Sequence, residues 1–127
     1  MVVIVGMLAA IVVPQFTNAT EDAKDGALRM NIYRVRQQLE VYKHHHRAYP
    51  SLANFEKQML GGTNEKGDVG AIGAVGFKYG PYMMEIPDNS YSNGNKISGG
   101  SVGSSDWYYN EKTGQFCAND TSEHRAY

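Results

Sequence analysis

Residues 1–16 read MVVIVGMLAAIVVPQF, and the first thirteen of them carry neither a charge nor a polar side chain. The run meets Pro14 and soon passes into the charged residues Glu21, Asp22, Lys24 and Asp25. An apolar rod that continues into a charged, amphipathic rod is hard to use in a water-soluble enzyme. It suits a subunit that waits in a membrane and then packs its rod against copies of itself. Thirteen helical residues rise only about 20 Å, whereas a bilayer core of roughly 30 Å needs about 20 residues. Three readings therefore stay open on length and periodicity alone. The run is the core of a secretory signal peptide, although no basic residue precedes it; or a buried helix of a soluble domain; or the end of a longer membrane segment.

Downstream, Leu28, Ile32, Val35, Leu39 and Tyr42 are spaced 4, 3, 4 and 3 residues apart. That spacing lays one apolar stripe along a helix. The pattern predicts a single helix from about residue 1 to about residue 46, with Ala19, Ala23 and Ala27 extending the stripe toward the N-terminus. Pro14 lies inside it and removes one backbone donor, so a kink or a freed turn is expected there. Tyr49-Pro50 ends the rod, because proline biases the residue before it away from helix. Ser51 is read as the N-cap of a short helix through Leu52, Phe55, Met59 and Leu60, stopped by Gly61-Gly62.

Residues 61–104 are glycine-rich and read as loop, with GPYMMEIP in the middle. The clearest strand signal follows. DWYYN (106–110), the turn EKTG (111–114) and QFCAN (115–119) predict an antiparallel hairpin. Trp107 and Tyr109 then face one way and Tyr108 the other, and Phe116 and Ala118 should share one face. Since two strands alone are only marginally stable, a strand near Asn95-Lys96-Ile97 is expected to complete an antiparallel sheet of about three strands. The fold class is α+β. The predicted head core is Leu28, Ile32, Val35, Leu39 and Tyr42 packed on Trp107 and Phe116.

The 127 residues fit one domain, and 12 basic against 13 acidic residues leave no electrostatic footprint for nucleic acid. Cys117 is the only cysteine, so no internal disulfide is possible. His44, His45 and His46 are consecutive. Neighbours on a helix point about 100° apart, so three adjacent imidazoles do not converge on one metal while helical, and a solvated helix end is expected. Cys117 with His124 is a poor nucleophile and base pair, because no helix N-terminus or glycine elbow lowers the thiol's pKa. Asp88, Asn89, Asn93, Asn95, Asp106, Asn119 and Asp120 form an oxygen-rich set. Calcium is a possible ligand for such donors, but turn chemistry explains them as well. Asn119-Asp120-Thr121 fits a glycosylation acceptor only weakly. GGTNEKG lacks the spacing of a phosphate loop. No catalytic constellation and no cofactor site emerge.

The opening segment resembles the class III signal-peptide family, the type IV pilins and type II secretion pseudopilins. Gly6, Leu8, Ala9, Ala10, Pro14, Gln15 and Phe16 match the second half of that family's apolar segment. RAYPS, GPYMMEIPDN and DWYYNEKTGQFCAND are similar to landmarks of its pseudopilin group. Aligned on Gly6 and Pro14, the chain begins several residues inside the mature form, without leader, cleavage site or the family's glutamate. The acidic loop with which the major pseudopilin binds calcium has no counterpart, since EKTG is too short to wrap a metal. The disulfide common in type IV pilins is also missing.

The resemblance implies a pilin-like fold and two parts. Residues 1–16 form a membrane and filament-core segment, with Val5, Gly6, Leu8, Ala9, Ile11, Val12 and Pro14 as its contact residues. Residues 17–127 form a periplasmic head that includes the rest of the helix. The implied role is a structural subunit, held by a single pass in the inner membrane and assembled into a helical filament for protein export. Its partners are copies of itself, other pseudopilins and an inner-membrane assembly platform. The alternative is a membrane-anchored monomeric periplasmic binding module that uses the tyrosine-rich sheet. A secreted enzyme with a clipped signal sequence has no residues to support it.

Overall fold

The computed structural model describes the backbone of residues 2–127 and the side chains of residues 20–127. Helix α1 runs from Val2 to His46, 45 residues or about 68 Å of rod. It ends at Arg47, which takes a left-handed conformation (φ 61°), while its amide still donates to the Lys43 carbonyl. The effects expected of Pro14, the segment 1–16 and its boundary with the head fall outside the described side chains.

Leu28, Ile32, Val35, Leu39 and Tyr42 are all buried, and they pack with Trp107, Tyr109, Phe116, Phe55 and Met59 into one core. The alanine extension of the stripe is corrected. Ala23 and Ala27 are exposed, and the inward face continues at Asp25. Ala27 stands one residue, about 100°, from Leu28, whereas Asp25 stands three residues back on the same face.

Helix α2 spans Phe55–Leu60 and presents Phe55 and Met59 to the core. It begins later than expected. Ser51 instead shapes the approach to the helix, its hydroxyl accepting from the Asn54 amide at 3.3 Å, and Asn54 sits at the N-cap. Gly61 caps the end, its amide bonded to the Lys57 carbonyl.

Strands β1 (Gly62–Thr63) and β2 (Val69–Gly70) pair antiparallel inside the region read as loop. The second sheet holds β3 (Ile97–Ser98), β4 (Trp107–Asn110) and β5 (Gln115–Ala118) in that order. β4 and β5 form the expected hairpin, with Trp107 opposite Ala118 and Tyr109 opposite Phe116. The third strand corrects the all-antiparallel sheet, because β3 runs parallel to β4, with Ile97 opposite Trp107. Parallel neighbours normally need a crossover of a dozen or more residues. Here β3 is two residues long, and a serine- and glycine-rich return closes the distance. A last turn, α3 (Ser122–Arg125), is capped by Thr121, whose hydroxyl accepts from the His124 amide. It covers the outer face of β5, and Cys117 is therefore buried along with Phe116 and Ala118.

Candidate functional site

The feature to be explained is how the head holds its helix. The grip starts at Lys24, whose carbonyl accepts a 2.6 Å hydrogen bond from the Ser90 hydroxyl. One residue on, Asp25 accepts from the Tyr127 hydroxyl and, at 2.9 Å, from Arg29 Nε. The Arg29 guanidinium lies 3.8 Å from the centre of the Tyr127 ring. The Tyr127 hydroxyl first, and Arg29 second, hold the Asp25 carboxyl below the usual carboxylate range. Further along, Asn31 Nδ2 donates to the Asp88 carbonyl, and Arg36 donates to the carbonyls of Phe116 (2.9 Å) and Tyr127 (2.8 Å). Polar ties thus flank the apolar stripe, and the C-terminal turn is clamped across the helix.

At the helix end the expectation of a solvated histidine run holds only for His44. His45 Nδ1 and His46 Nε2 both reach the Tyr82 hydroxyl, at 2.8 and 3.0 Å. His46 Nε2 also meets Thr63 Oγ1 at 3.1 Å, and its Nδ1 lies 3.3 Å from the Glu65 carbonyl. The His45 ring stacks on Tyr79, 4.6 Å between centroids. The two imidazoles therefore bolt the end of α1 to the β1–β2 lobe. Burial pushes the His46 imidazole down and the Tyr82 phenol up to about 12. No sequence signal joined Tyr82 to these histidines, because the contact spans more than 35 residues. Among the described residues no group of three or more His, Cys, Asp or Glu side chains is placed to hold a metal.

The oxygen-rich set does not converge: Asp88, Asn93 and Asn95 are exposed, and the others form a polar frame around Asn89 and Asn119. Asn89 is fully buried. Its Nδ2 donates to the Asp106 carbonyl and Asp120 Oδ1, and its Oδ1 accepts from the amides of Tyr91 and Ser92. Asn119 is also fully buried. Its Nδ2 reaches Ser101 O and the hydroxyls of Ser104 and Ser105, and its Oδ1 accepts from Arg125. That burial removes Asn119 as a glycosylation acceptor in the folded head. Asp106 caps the Lys96 amide at 2.9 Å. His124 spends its Nδ1 on Asp120 at 2.6 Å and stacks on Tyr91. The Cys117 thiol is pushed up by burial, the opposite of what a nucleophile needs.

The sequence-predicted contact residues Val5, Gly6, Leu8, Ala9, Ile11, Val12 and Pro14 lie outside the described side chains. Among the described residues no helix is long and apolar enough to cross a membrane. No family model matches the chain, and neither curated proteins nor solved structures give a significant match.

The surface also shows what sequence reading passed over. Ile72, Val75 and Met84 are exposed large apolar side chains, Val75 completely so.

Proposed function

We propose that this chain is a structural subunit of a type II secretion pseudopilus or a related type IV-like pilus. The observation that supports the reading most is the 45-residue helix, of which the head grips the stretch from Lys24 to His46. The twenty residues that precede Glu21 carry no charged side chain. In this reading a peptidase trims a leader, and the apolar segment holds the subunit in the inner membrane with its head in the periplasm. An assembly ATPase elsewhere drives extraction. Apolar segments then bury one another in the fibre core, replacing lipid contacts with protein contacts. Gly6 and Pro14 both weaken helical hydrogen bonding and let the segment between them stretch during packing. The chain itself performs no catalysis and takes no cofactor.

The runner-up, a membrane-anchored monomeric binding module, needs the tyrosines of the sheet free to hold a partner. Tyr109 is buried, and Tyr108 is covered by the Arg125 guanidinium at 3.8 Å from its ring centre. The sheet is thus engaged with its own chain.

The test is to express the full precursor in cells that carry the assembly platform, shear and pellet surface fibres, and probe for the subunit. Subunit in the pellet supports the reading. A subunit that stays in the membrane fraction as a monomer, with fibres of other subunits present, transfers first place to the binding module.

A further inference from the structure

Of the chain's asparagines only Asn93 is followed by glycine. The pair ends the turn 89–94, which two short backbone bonds close. The Asn93 amide donates to the Asn89 carbonyl and the Asn89 amide to the Gly94 carbonyl, both at 2.7 Å. Asn93 takes a left-handed φ of 62°, a conformation that asparagine tolerates better than most residues.

Between those two bonds lies one peptide unit that nothing holds. The Asn93 carbonyl, the Gly94 amide and the Asn93 side chain make no hydrogen bond among the described residues, and Asn93 is exposed. The 93–94 peptide plane can therefore turn without breaking a bond, and its N–H is open to water and base. Glycine adds no side chain to shield that nitrogen. Packing demands glycine at 94 for a separate reason. A Cβ there would come 2.5 Å from Asp106 Oδ2, and that carboxylate is committed to the Lys96 amide at 2.9 Å.

The other asparagines on the head are held. Asn89 and Asn119 are fully buried, with both ends of each side-chain amide bonded. The Asn64 and Asn110 side-chain oxygens accept from backbone amides, and Asn31 and Asn95 donate to the carbonyls of Asp88 and Ile86.

We propose that Asn93 is a spontaneous modification site, which converts to aspartate and isoaspartate in the folded head, and that the isoaspartate product loosens the turn 89–94. Nucleophile and electrophile stand in adjacent residues, so the reaction is intramolecular. Base takes the proton of the Gly94 amide, and the nitrogen attacks Asn93 Cγ. The bond from Cγ to the side-chain nitrogen breaks, ammonia leaves, and a five-membered succinimide forms. Water then opens the ring. Attack at Cγ restores the ordinary chain as aspartate; attack at the Asn93 backbone carbonyl leaves isoaspartate, with the chain running through Cβ and Cγ. The sum consumes one water, releases one ammonia and moves no electrons between redox partners. A backbone longer by one atom does not close both 2.7 Å bonds of the turn. The same turn carries Ser90, whose hydroxyl holds the Lys24 carbonyl, so the product acts on the head's grip of α1. None of this depends on the fibre reading.

The test uses the full chain, purified in detergent and held in warm, mildly alkaline buffer with and without urea. Isoaspartate is located by peptide mapping and by labelling with protein isoaspartyl methyltransferase. Label is expected at Asn93 in the folded chain at a rate close to that in urea, rising with pH because the amide must lose its proton. Asn89 should react in urea but at least about tenfold more slowly when folded, the factor that about 1.4 kcal/mol of local opening imposes. Asn93→Gln, which would have to close a larger and slower ring, should lose the label. Asn93 intact in the folded chain while it reacts in urea would overturn the proposal, as would label that persists in Asn93→Gln. The isoaspartate form, separated from the aspartate form, should melt about 4 °C below Asn93→Asp, which carries the same charge on a backbone of normal length; that is the shift for about one hydrogen bond lost. Equal midpoints would overturn the loosening of the turn.

Discussion

The Tyr109 hydroxyl donates a 2.6 Å hydrogen bond to the carbonyl of Pro50, joining the hairpin to the segment that follows the long rod. Both residues are buried, so the carbonyl has no water to fall back on. Tyr109→Phe keeps the ring packed on Phe55 and removes only the donor. The expected loss is about 1–3 kcal/mol, the range for a buried acceptor left without a partner. A urea or thermal melt of the soluble head measures it.

Leu39 is 1% exposed at the centre of the stripe. Leu39→Ala should lower stability by about 2–5 kcal/mol through lost burial and the cavity left behind. Ala27→Ser, on the exposed neighbouring face, should change the melting midpoint little, and the pair of measurements checks the assignment of faces.

Stability should fall on both sides of neutrality, for separate reasons. Burial lowers the His46 pKa, so the fold prefers the neutral ring. The unfolded chain takes a proton near pH 6.5. The contribution is therefore complete above about 6.5 and is lost as pH falls through the lower folded value. His46→Asn should flatten that acid limb. Burial raises Tyr82 to about 12, against about 10 unfolded. Its contribution is complete below about pH 10 and is lost as pH rises toward 12. Tyr82→Phe should reduce the alkaline slope without abolishing it, because Tyr42 and Tyr109 are also pushed up by burial. Melting midpoints from pH 5 to 11 check both signs.

Gly114 closes the hairpin turn at φ 73°, and a Cβ there would come within 2.3 Å of the Tyr49 ring. Gly114→Ala combines a left-handed backbone penalty of about 1–2 kcal/mol with a displaced ring. Gly103→Ala shares the positive φ but meets nothing within 4 Å. It should therefore destabilise less, and the difference between the two variants reads the Tyr49 contact alone.

These sites differ in how plainly the sequence announces them. The spacing of Leu28 to Tyr42 and the alternation in DWYYN and QFCAN are local patterns with one physical solution, and both faces are where the periodicity places them. The direction of β3 was not local. A two-residue strand carries no register of its own, and Ser105 and Asn119 organise its return from the far side of the sheet. The histidines misled for the same reason, since their partner Tyr82 lies in a distant loop. The glycines of VGAIGAVGF read as loop, and only the fold shows its apolar side chains Ile72 and Val75 standing in water.

The last prediction concerns the apolar segment as the assembly element. The stripe on α1 is already filled by the head, so it has no surface left for the fibre core. In the proposed fibre the core is supplied by the segment 1–16, whose thirteen opening residues lack any polar side chain. Leu8→Asp or Ile11→Asp should harm two steps at once. A charge at mid-membrane costs at least about 2.5–3.5 kcal/mol on insertion scales. The same charge, buried without a partner between subunits, is penalised again in the fibre. Lower subunit levels in membranes together with loss of sheared fibres is the expected result. Leu8→Ile, which keeps the apolar surface, should assemble normally. A Leu8→Asp protein that is stable in the membrane and still yields fibres at the normal level would show that the segment is not the assembly element, and the binding-module reading would then take first place.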